Sequence, residues 1–360
     1  MKTDINHLIG IRSGFVETRR LGMHVLTAGE AGNTPLLFLH GNTSSSTIWE
    51  EFMLPFSDDY YCIAPDLRGF GLTDENGLID ATRGLLDWVD DIVALSEAMG
   101  LSPFHLVGHS LGGFVCWGLL GLHPGLLRSA TLFSPGPPVG FGGVHGVEGT
   151  PNNEDYSGSG GGIVVKAFAE RIREKDRTAE DPMFSPRNVM NRLFWKEGFR
   201  AEREEDFLSA MLQIHFGDRQ YPGDSVDSDF WPGVAPGKYG PVNALSPKYN
   251  RSVLKQFLEG VPKKRLLWIQ GKDDNIISDR SYSDPGFQGK MELRQGWPGE
   301  EVYPPQPMEA QVRYALDEYR GSGGYVKKEM IDDCGHTPFI EKPKISEELL
   351  LNHIRASEEH

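Results

Sequence analysis

The chain has 360 residues, with 36 Lys and Arg against 51 Asp and Glu, a formal net charge of −15. That balance argues against nucleic acid as a partner and otherwise speaks only to solubility. Three cysteines (Cys62, Cys116, Cys334) with no C-x-x-C pair, an unremarkable apolar fraction, and no run near the ~18–20 apolar residues of a membrane span exclude a disulfide scaffold and an integral membrane protein. The opening Met1-Lys2-Thr3-Asp4-Ile5-Asn6-His7 carries no apolar leader core, so a cytoplasmic location is expected.

Residues 13–28 read as two short strands around a turn at Leu21-Gly22. Pro35-Leu36-Leu37-Phe38-Leu39 is a continuous apolar run that stops at His40-Gly41, the pattern of a strand buried on both faces. A polar loop over 42–47 leads to Ile48-Trp49 and a short helix. The next strand, 60–66, ends in a turn over 67–71. Residues 85–99 place Leu85, Trp88, Val89, Ile92, Leu95 and Met99 on one helical face.

The stretch Phe104-His105-Leu106-Val107-Gly108-His109-Ser110-Leu111-Gly112-Gly113 is a strand, a sharp turn and a helix start. It spells G-x-S-x-G, the nucleophile elbow. The turn strains the serine backbone, so positions two before and two after must be glycine-sized to avoid collision. The same strain exposes Ser110 Oγ and leaves the Leu111 N–H, at a helix N-terminus, free for an oxyanion. Phe114-Val115-Cys116-Trp117-Gly118-Leu119-Leu120 continues as an apolar helix, and 126–133 is the following strand. Strand alternating with helix is the pattern of a doubly wound α/β sheet.

That rhythm breaks over 135–250. Pro135-Gly136-Pro137-Pro138 and Gly158-Ser159-Gly160-Gly161-Gly162 mark loops. Helical spacing appears at about 163–174, 186–198 and 202–216. Aromatic residues, Trp195 and Trp231 among them, are frequent, and the segment is expected to be an inserted domain. The sheet pattern returns at 265–271. An irregular Gly/Pro-rich stretch follows at 279–307, then a helix at about 307–320, a strand at 325–330, the loop Asp333-Cys334-Gly335-His336-Thr337-Pro338 and a closing helix over 345–354.

Five stretches in this order resemble the α/β-hydrolase fold over nearly the whole core. They are His40-Gly41-Asn42, Asp66-Leu67-Arg68-Gly69-Phe70-Gly71, Gly108-His109-Ser110-Leu111-Gly112, Gly271-Lys272-Asp273-Asp274 and Gly335-His336-Thr337-Pro338. The family order of nucleophile, acid and base implies Ser110, Asp274 and His336. Asp273 stays open as the acid from its position alone; the family's G-x-x-D spacing selects Asp274. By the same resemblance Asn42 N–H joins Leu111 N–H in an oxyanion hole, 135–250 is a cap over a core made of 1–134 and 251–360, and 279–307 extends the cap or forms a subunit contact. The loop at Asn42 is similar to that of dehalogenases and epoxide hydrolases of this fold, but those carry Asp where this chain has Ser110.

Other residue patterns carry less. His105 and His109 lie on strand and elbow rather than one helix face, so no metal is expected. Asp66 and Arg68 read as a structural turn, Gly69-Phe70-Gly71 lacks the Lys-Ser/Thr of a phosphate loop, and Cys334 reads as core. The expectation is a cofactor-free serine hydrolase of carboxylic esters, lactones included, acting on an apolar small molecule with His109, Trp49, Trp195 and Trp231 lining its pocket. Amide hydrolysis, C–C hydrolysis of ring-fission diketones and a receptor with little turnover are the alternatives. The oligomeric state stays open.

Overall fold

The computed structural model describes residues 5–101 and 103–359; residues 1–4, which begin the stretch read for a leader, lie outside the described residues. Among the described residues, eight strands pair into one sheet: β1 (Arg12–Glu17), β2 (Gly22–Ala28), β3 (Thr34–Leu39), β4 (Tyr60–Pro65), β5 (Phe104–His109), β6 (Leu127–Phe133), β7 (Arg265–Gly271) and β8 (Tyr325–Ile331). Their spatial order is β1-β2-β4-β3-β5-β6-β7-β8. β2 is antiparallel to both neighbours, and every pair from β4 to β8 is parallel. β1, exposed along most of its length, forms one edge, whereas β3, β5, β6 and β7, buried along most of theirs, lie inside.

The helices follow from the same patterns. α1 (Leu86–Met99) buries Trp88, Val89, Ile92 and Leu95 on one face. α2 (Leu111–Leu122) is apolar all round and buried through Leu120, because it is covered by α1 and α6 as well as by the sheet. Between β6 and β7 run α3 (Lys166–Arg173), α4 (Pro186–Leu193), α5 (Glu204–Leu212) and α6 (Val253–Glu259). After β7 come α7 (Pro285–Lys290) and α8 (Met308–Gly321), and after β8 the closing α9 (Pro343–Glu358), which packs on β6 and β7.

Three helices of the inserted segment are shorter than their apolar spacing suggests, for identifiable reasons. Before α3, Gly161–Ile163 is a tight 3-10 turn. After α4, the Lys196 N–H is taken by Glu341 Oε2 at 2.8 Å. After α5, the His215 N–H is taken by Gly69 O at 3.0 Å. After α4 and α5, tertiary hydrogen bonds claim the backbone before the helix can extend.

The stretch 279–307 is ordered by α7, whose N-cap Asp284 accepts from the Phe287 N–H at 2.8 Å. It lies against the inserted segment through Trp231 Nε1–H to Gln295 O (2.9 Å), Arg294 to Ile163 O (3.1 Å) and Tyr303 O–H to Ser157 O (3.0 Å). No helix among the described residues is long and apolar enough to cross a membrane.

Candidate active site

The parallel strands all end at one side of the sheet, and each functional side chain follows a different strand. Asn42 follows β3, Ser110 follows β5, Asp274 follows β7 and His336 follows β8. β3 and β5 are neighbours, as are β7 and β8, and the strand order reverses beside β3, where doubly wound sheets open a crevice.

Ser110 has φ 54° and ψ −113°, a conformation that costs roughly 1–3 kcal/mol and persists only where the surroundings enforce it. The enforcement is visible. A Cβ on Gly108 would sit 2.4 Å from Cys116 Sγ and 2.6 Å from Gly112 O, and one on Gly112 would sit 2.2 Å from Leu39 O. The Ser110 N–H donates to Phe133 O at 3.1 Å, which fixes the turn to β6. Both glycines are therefore required by close approach, as the elbow spelling implies.

His336 is buried, and its Nδ1–H donates to Asp274 Oδ2 at 2.8 Å. That bond leaves Nε2 with its lone pair. Asp274 is itself held at Oδ1 by the N–H groups of Ile276 (2.7 Å) and Ile277 (3.0 Å), and at Oδ2 by Gln270 Nε2 (2.8 Å). Asp273 is half exposed and faces Lys196 instead, at 3.5 Å. Of the two candidate acids, Asp274 is the one that meets His336. Among the described residues no hydrogen bond joins Ser110 Oγ to His336, although both line the same cavity; bonds of this kind commonly tighten only when substrate binds.

The loop after β3 closes over the elbow. A Cβ on Gly41 would lie 3.0 Å from Ser110 Cβ. His40 Nε2 accepts from the Leu67 N–H at 2.9 Å, so its Nδ1–H donates to Gly41 O at 2.8 Å. Burial lowers the pKa of His40, which keeps the ring neutral for that pair of bonds. Thr43 holds a positive φ of 49°, so this loop is strained as well. Asn42 and Leu111 both line the cavity next to Ser110.

His109 lies beneath the nucleophile. Its Nε2–H donates to the His336 carbonyl oxygen at 2.9 Å, and the two rings are 4.6 Å apart. Burial and the neighbouring His336 pull its pKa well down. Its edge reaches the cavity, but its only donor is committed to bracing the His336 loop.

Glu341 is a residue whose role the sequence did not reveal. Oε2 accepts from the N–H groups of Gly335 (2.9 Å) and Lys196 (2.8 Å), and Oε1 from that of Thr337 (3.3 Å). Gly335 has no room for a side chain, since a Cβ would meet Lys196 N at 2.5 Å. Thr337 Oγ1–H also donates to Phe194 O at 2.7 Å. The loop that carries His336 is therefore bonded to residues 194–196 of the inserted segment. A carboxylate in an apolar stretch just after a Gly-His turn was the available signal.

Above Ser110 lies a cavity of about 1290 Å³, walled mainly by apolar side chains from the inserted segment and from 276–295. Three tryptophans expected there are elsewhere. Trp49 is fully buried and stacks on Phe339 at 4.0 Å. Trp195 is fully buried among Phe194, Phe199 and Phe207. Trp231 packs on Tyr303 at 4.7 Å, away from the cavity lining. The neighbours Ile48 and Phe194 line the cavity in place of Trp49 and Trp195, because adjacent residues on a helical turn point apart.

Asp66 and Arg68 hold the turn after β4. Asp66 accepts from His24 Nδ1–H (2.7 Å) and from the N–H groups of Ser46 and Leu72, and Arg68 forks onto Asp91. Burial opposes ionisation of Asp66, but the two nearby histidines and the Leu72 N–H outweigh it and bring the pKa to about 2. Cys334 is buried and free. Among the described residues no group of three or more His, Cys, Asp or Glu is placed to hold a metal ion.

A doubly wound sheet with an elbow serine, a buried His–Asp pair and an apolar cavity above them has the architecture of a hydrolase. The chain belongs to the alpha/beta hydrolase family, whose model matches residues 36–345. It is 29% identical over 143 residues to epoxide hydrolase 2 of Caenorhabditis elegans, covering 39% of this chain and 40% of that protein. It is 36% identical over 118 residues to 2-(acetamidomethylene)succinate hydrolase of Mesorhizobium japonicum, covering 32% and 41% respectively. The matches thus span about two-fifths of the length of these curated relatives. Among solved structures, a carboxylesterase of Bacillus subtilis superposes with a TM-score of 0.57 at 14% identity, covering 96% of this chain and 92% of that one, a likeness of fold.

Proposed function

We propose that this chain is a serine hydrolase of carboxylic esters, lactones included, with 135–250 acting as a cap over a fairly apolar substrate. The observation that carries the reading is the strained Ser110 elbow facing the cavity shared with the His336–Asp274 pair. Ser110 Oγ attacks the carbonyl carbon while His336 Nε2 takes its proton. Asp274 holds the ring in the required tautomer and balances the imidazolium. The Asn42 and Leu111 N–H groups receive the charge on the carbonyl oxygen. His336 then protonates the departing alcohol, and a water activated by the same nitrogen releases the acid and restores Ser110.

Epoxide opening fits this nucleophile poorly, although one relative bears that name. A carboxylate that opens an epoxide forms an ester, which water can cleave. A serine would form an ether, which this machinery cannot hydrolyse, and the enzyme would stop after one turnover. An amide-cleaving reading draws support from the second relative, whose named substrate carries an acetamido group.

The test is hydrolysis of p-nitrophenyl esters from acetate to decanoate by wild type and Ser110→Ala, with p-nitroanilides alongside. Wild-type turnover is expected, with a drop of at least about 10³-fold in the variant. Equal rates in the two proteins would refute acyl transfer at Ser110. Faster anilide than ester cleavage would favour the amide reading.

A further inference from the structure

Four charged side chains line the cavity: Arg192, Arg200, Arg294 and Glu197. Three cations to one anion is an unexpected balance in a chain of net charge −15. Arg192 and Arg200 are exposed at the rim and donate to Met183 O (3.0 Å) and Phe199 O (2.8 Å). Arg294 is half-buried. Its Nε–H donates to Gln288 Oε1 at 2.9 Å and an Nη2–H to Ile163 O at 3.1 Å. All of these acceptors are neutral, and among the described residues no carboxylate lies within ion-pair distance of any of the three arginines.

A partly desolvated guanidinium with no carboxylate at ion-pair distance is costly, and Asp284, whose field reaches Arg294, is itself pushed up to about 7 by burial and so offsets little of its charge, which leaves room for an anion from outside. Burial accordingly pulls the pKa of Arg294 down. Its fork has donors beyond those used by Gln288 and Ile163, and a carboxylate or phosphate matches that geometry in two parallel bonds. The rest of the wall is mainly apolar. Together these features describe a ligand with a hydrocarbon body and one anionic group.

We infer that the substrate is an amphipathic ester carrying an anionic group, recognised by Arg294 with Arg192 and Arg200 supplying a positive rim. The inference rests on the ester-hydrolase reading for the scissile bond. It makes Arg294 a specificity residue that touches the substrate without taking part in bond cleavage.

The experiment compares mono-p-nitrophenyl esters of one chain length that end in an ω-carboxylate, an ω-phosphate or an ω-carboxamide. In wild type, kcat/KM for at least one anionic ester is expected to exceed that for the carboxamide by about tenfold or more, which is the effect of ~1.4 kcal/mol. The better of the two anions identifies the group. Arg294→Gln keeps a hydrogen-bond donor for Ile163 O and removes the charge. It is expected to abolish most of the preference, with kcat/KM for the favoured anionic ester falling about tenfold or more further than kcat/KM for the carboxamide ester. A purely structural Arg294 would instead slow all three esters alike, and that outcome overturns the proposal, as does a wild-type preference for the carboxamide.

A second arm needs no turnover. Binding of suberic acid monoamide and suberic diamide to Ser110→Ala is measured by calorimetry. Tighter binding of the monoamide, weakened by adding Arg294→Gln, supports the proposal. Equal binding of the two overturns it. Anion-selective binding without turnover by wild type would refute the ester reading alone.

Discussion

Asp273 and Asp274 are chain neighbours with different surroundings. Asp274 is buried, with both oxygens saturated by two backbone N–H groups, Gln270 and His336. Asp273 is half exposed, with one long contact to Lys196. Replacing Asp274 by Asn puts an amide where the imidazole N–H must donate and favours the wrong tautomer. The expected loss is about 10³–10⁴-fold in kcat with the fold retained. Asp273→Asn should stay within about twofold of wild type. Steady-state rates on one ester check both, and equal losses would show that the acid is not held by Asp274 alone. At this scale the sequence was informative wherever backbone geometry dictated a residue type. Gly108, Ser110 and Gly112 form such a set, and the Gly335-His336 turn is another. It was silent on where a buried side chain points. Trp49, Trp195 and Trp231 look like pocket residues by composition, yet each serves packing, because orientation on a short helix or turn is decided by partners far along the chain. Gln270, a polar residue inside an apolar strand, was a legible oddity that spacing alone could not connect to Asp274.

The short helices of 135–250 show how an element's limits are set from outside it. α4 ends where Phe194 O and the Lys196 N–H leave the helix to meet Thr337 and Glu341. The loop bearing His336 and the segment over the cavity thereby share one set of bonds centred on a single carboxylate. Burial raises the pKa of Glu341 against the pull of the N–H groups it accepts. Glu341→Ala leaves three backbone donors without their acceptor, each at about 1–3 kcal/mol if it stays buried. The base then loses its fixed position. kcat is expected to fall by about tenfold or more with a smaller change in KM, and proteolytic nicking near 194–200 should accelerate. Glu341→Gln, which keeps one acceptor oxygen, should recover part of both. Unchanged cleavage kinetics in Glu341→Ala would separate the loop from the segment. The sheet strands and α1 were readable from periodicity. The ends of α4 and α5 were not, because tertiary hydrogen bonds set them, nor was the start of α3, which a tight 3-10 turn precedes.

Across the whole molecule, the region 279–307 joins core and inserted segment around one buried acid. Burial pushes the Asp284 carboxyl up to about 7 from an ordinary 3.8, against the hydrogen bonds it accepts from the Phe287 and Gln306 N–H groups. A carboxyl held protonated by the fold supports stability fully below its unfolded pKa. That support is lost as pH rises through the folded value. Between pH 4.5 and 8, Asp284→Asn should therefore gain on wild type by an amount on the order of a few kcal/mol. Urea unfolding of both proteins at several pH values checks this, and a constant difference across the range would contradict it. The sequence marked 279–307 as long for its place in the fold, but the bonds that hold Arg294 to Ile163 and Tyr303 to Ser157 emerge only once these residues are brought together in space.

The base and its acid arrive last in the chain and at the end of the sheet. β8, which delivers His336, borders only β7, and β7 in turn is far in sequence from the β5 elbow. The elbow and the fully buried tryptophans Trp49, Trp88, Trp117, Trp195 and Trp268 all precede this strand in sequence, whereas His336 follows it. During refolding, tryptophan emission should therefore reach its native value before ester turnover returns. If β8 docks last, the interval between the two signals times that docking and catalysis serves as its clock; simultaneous recovery of the two signals would refute that order.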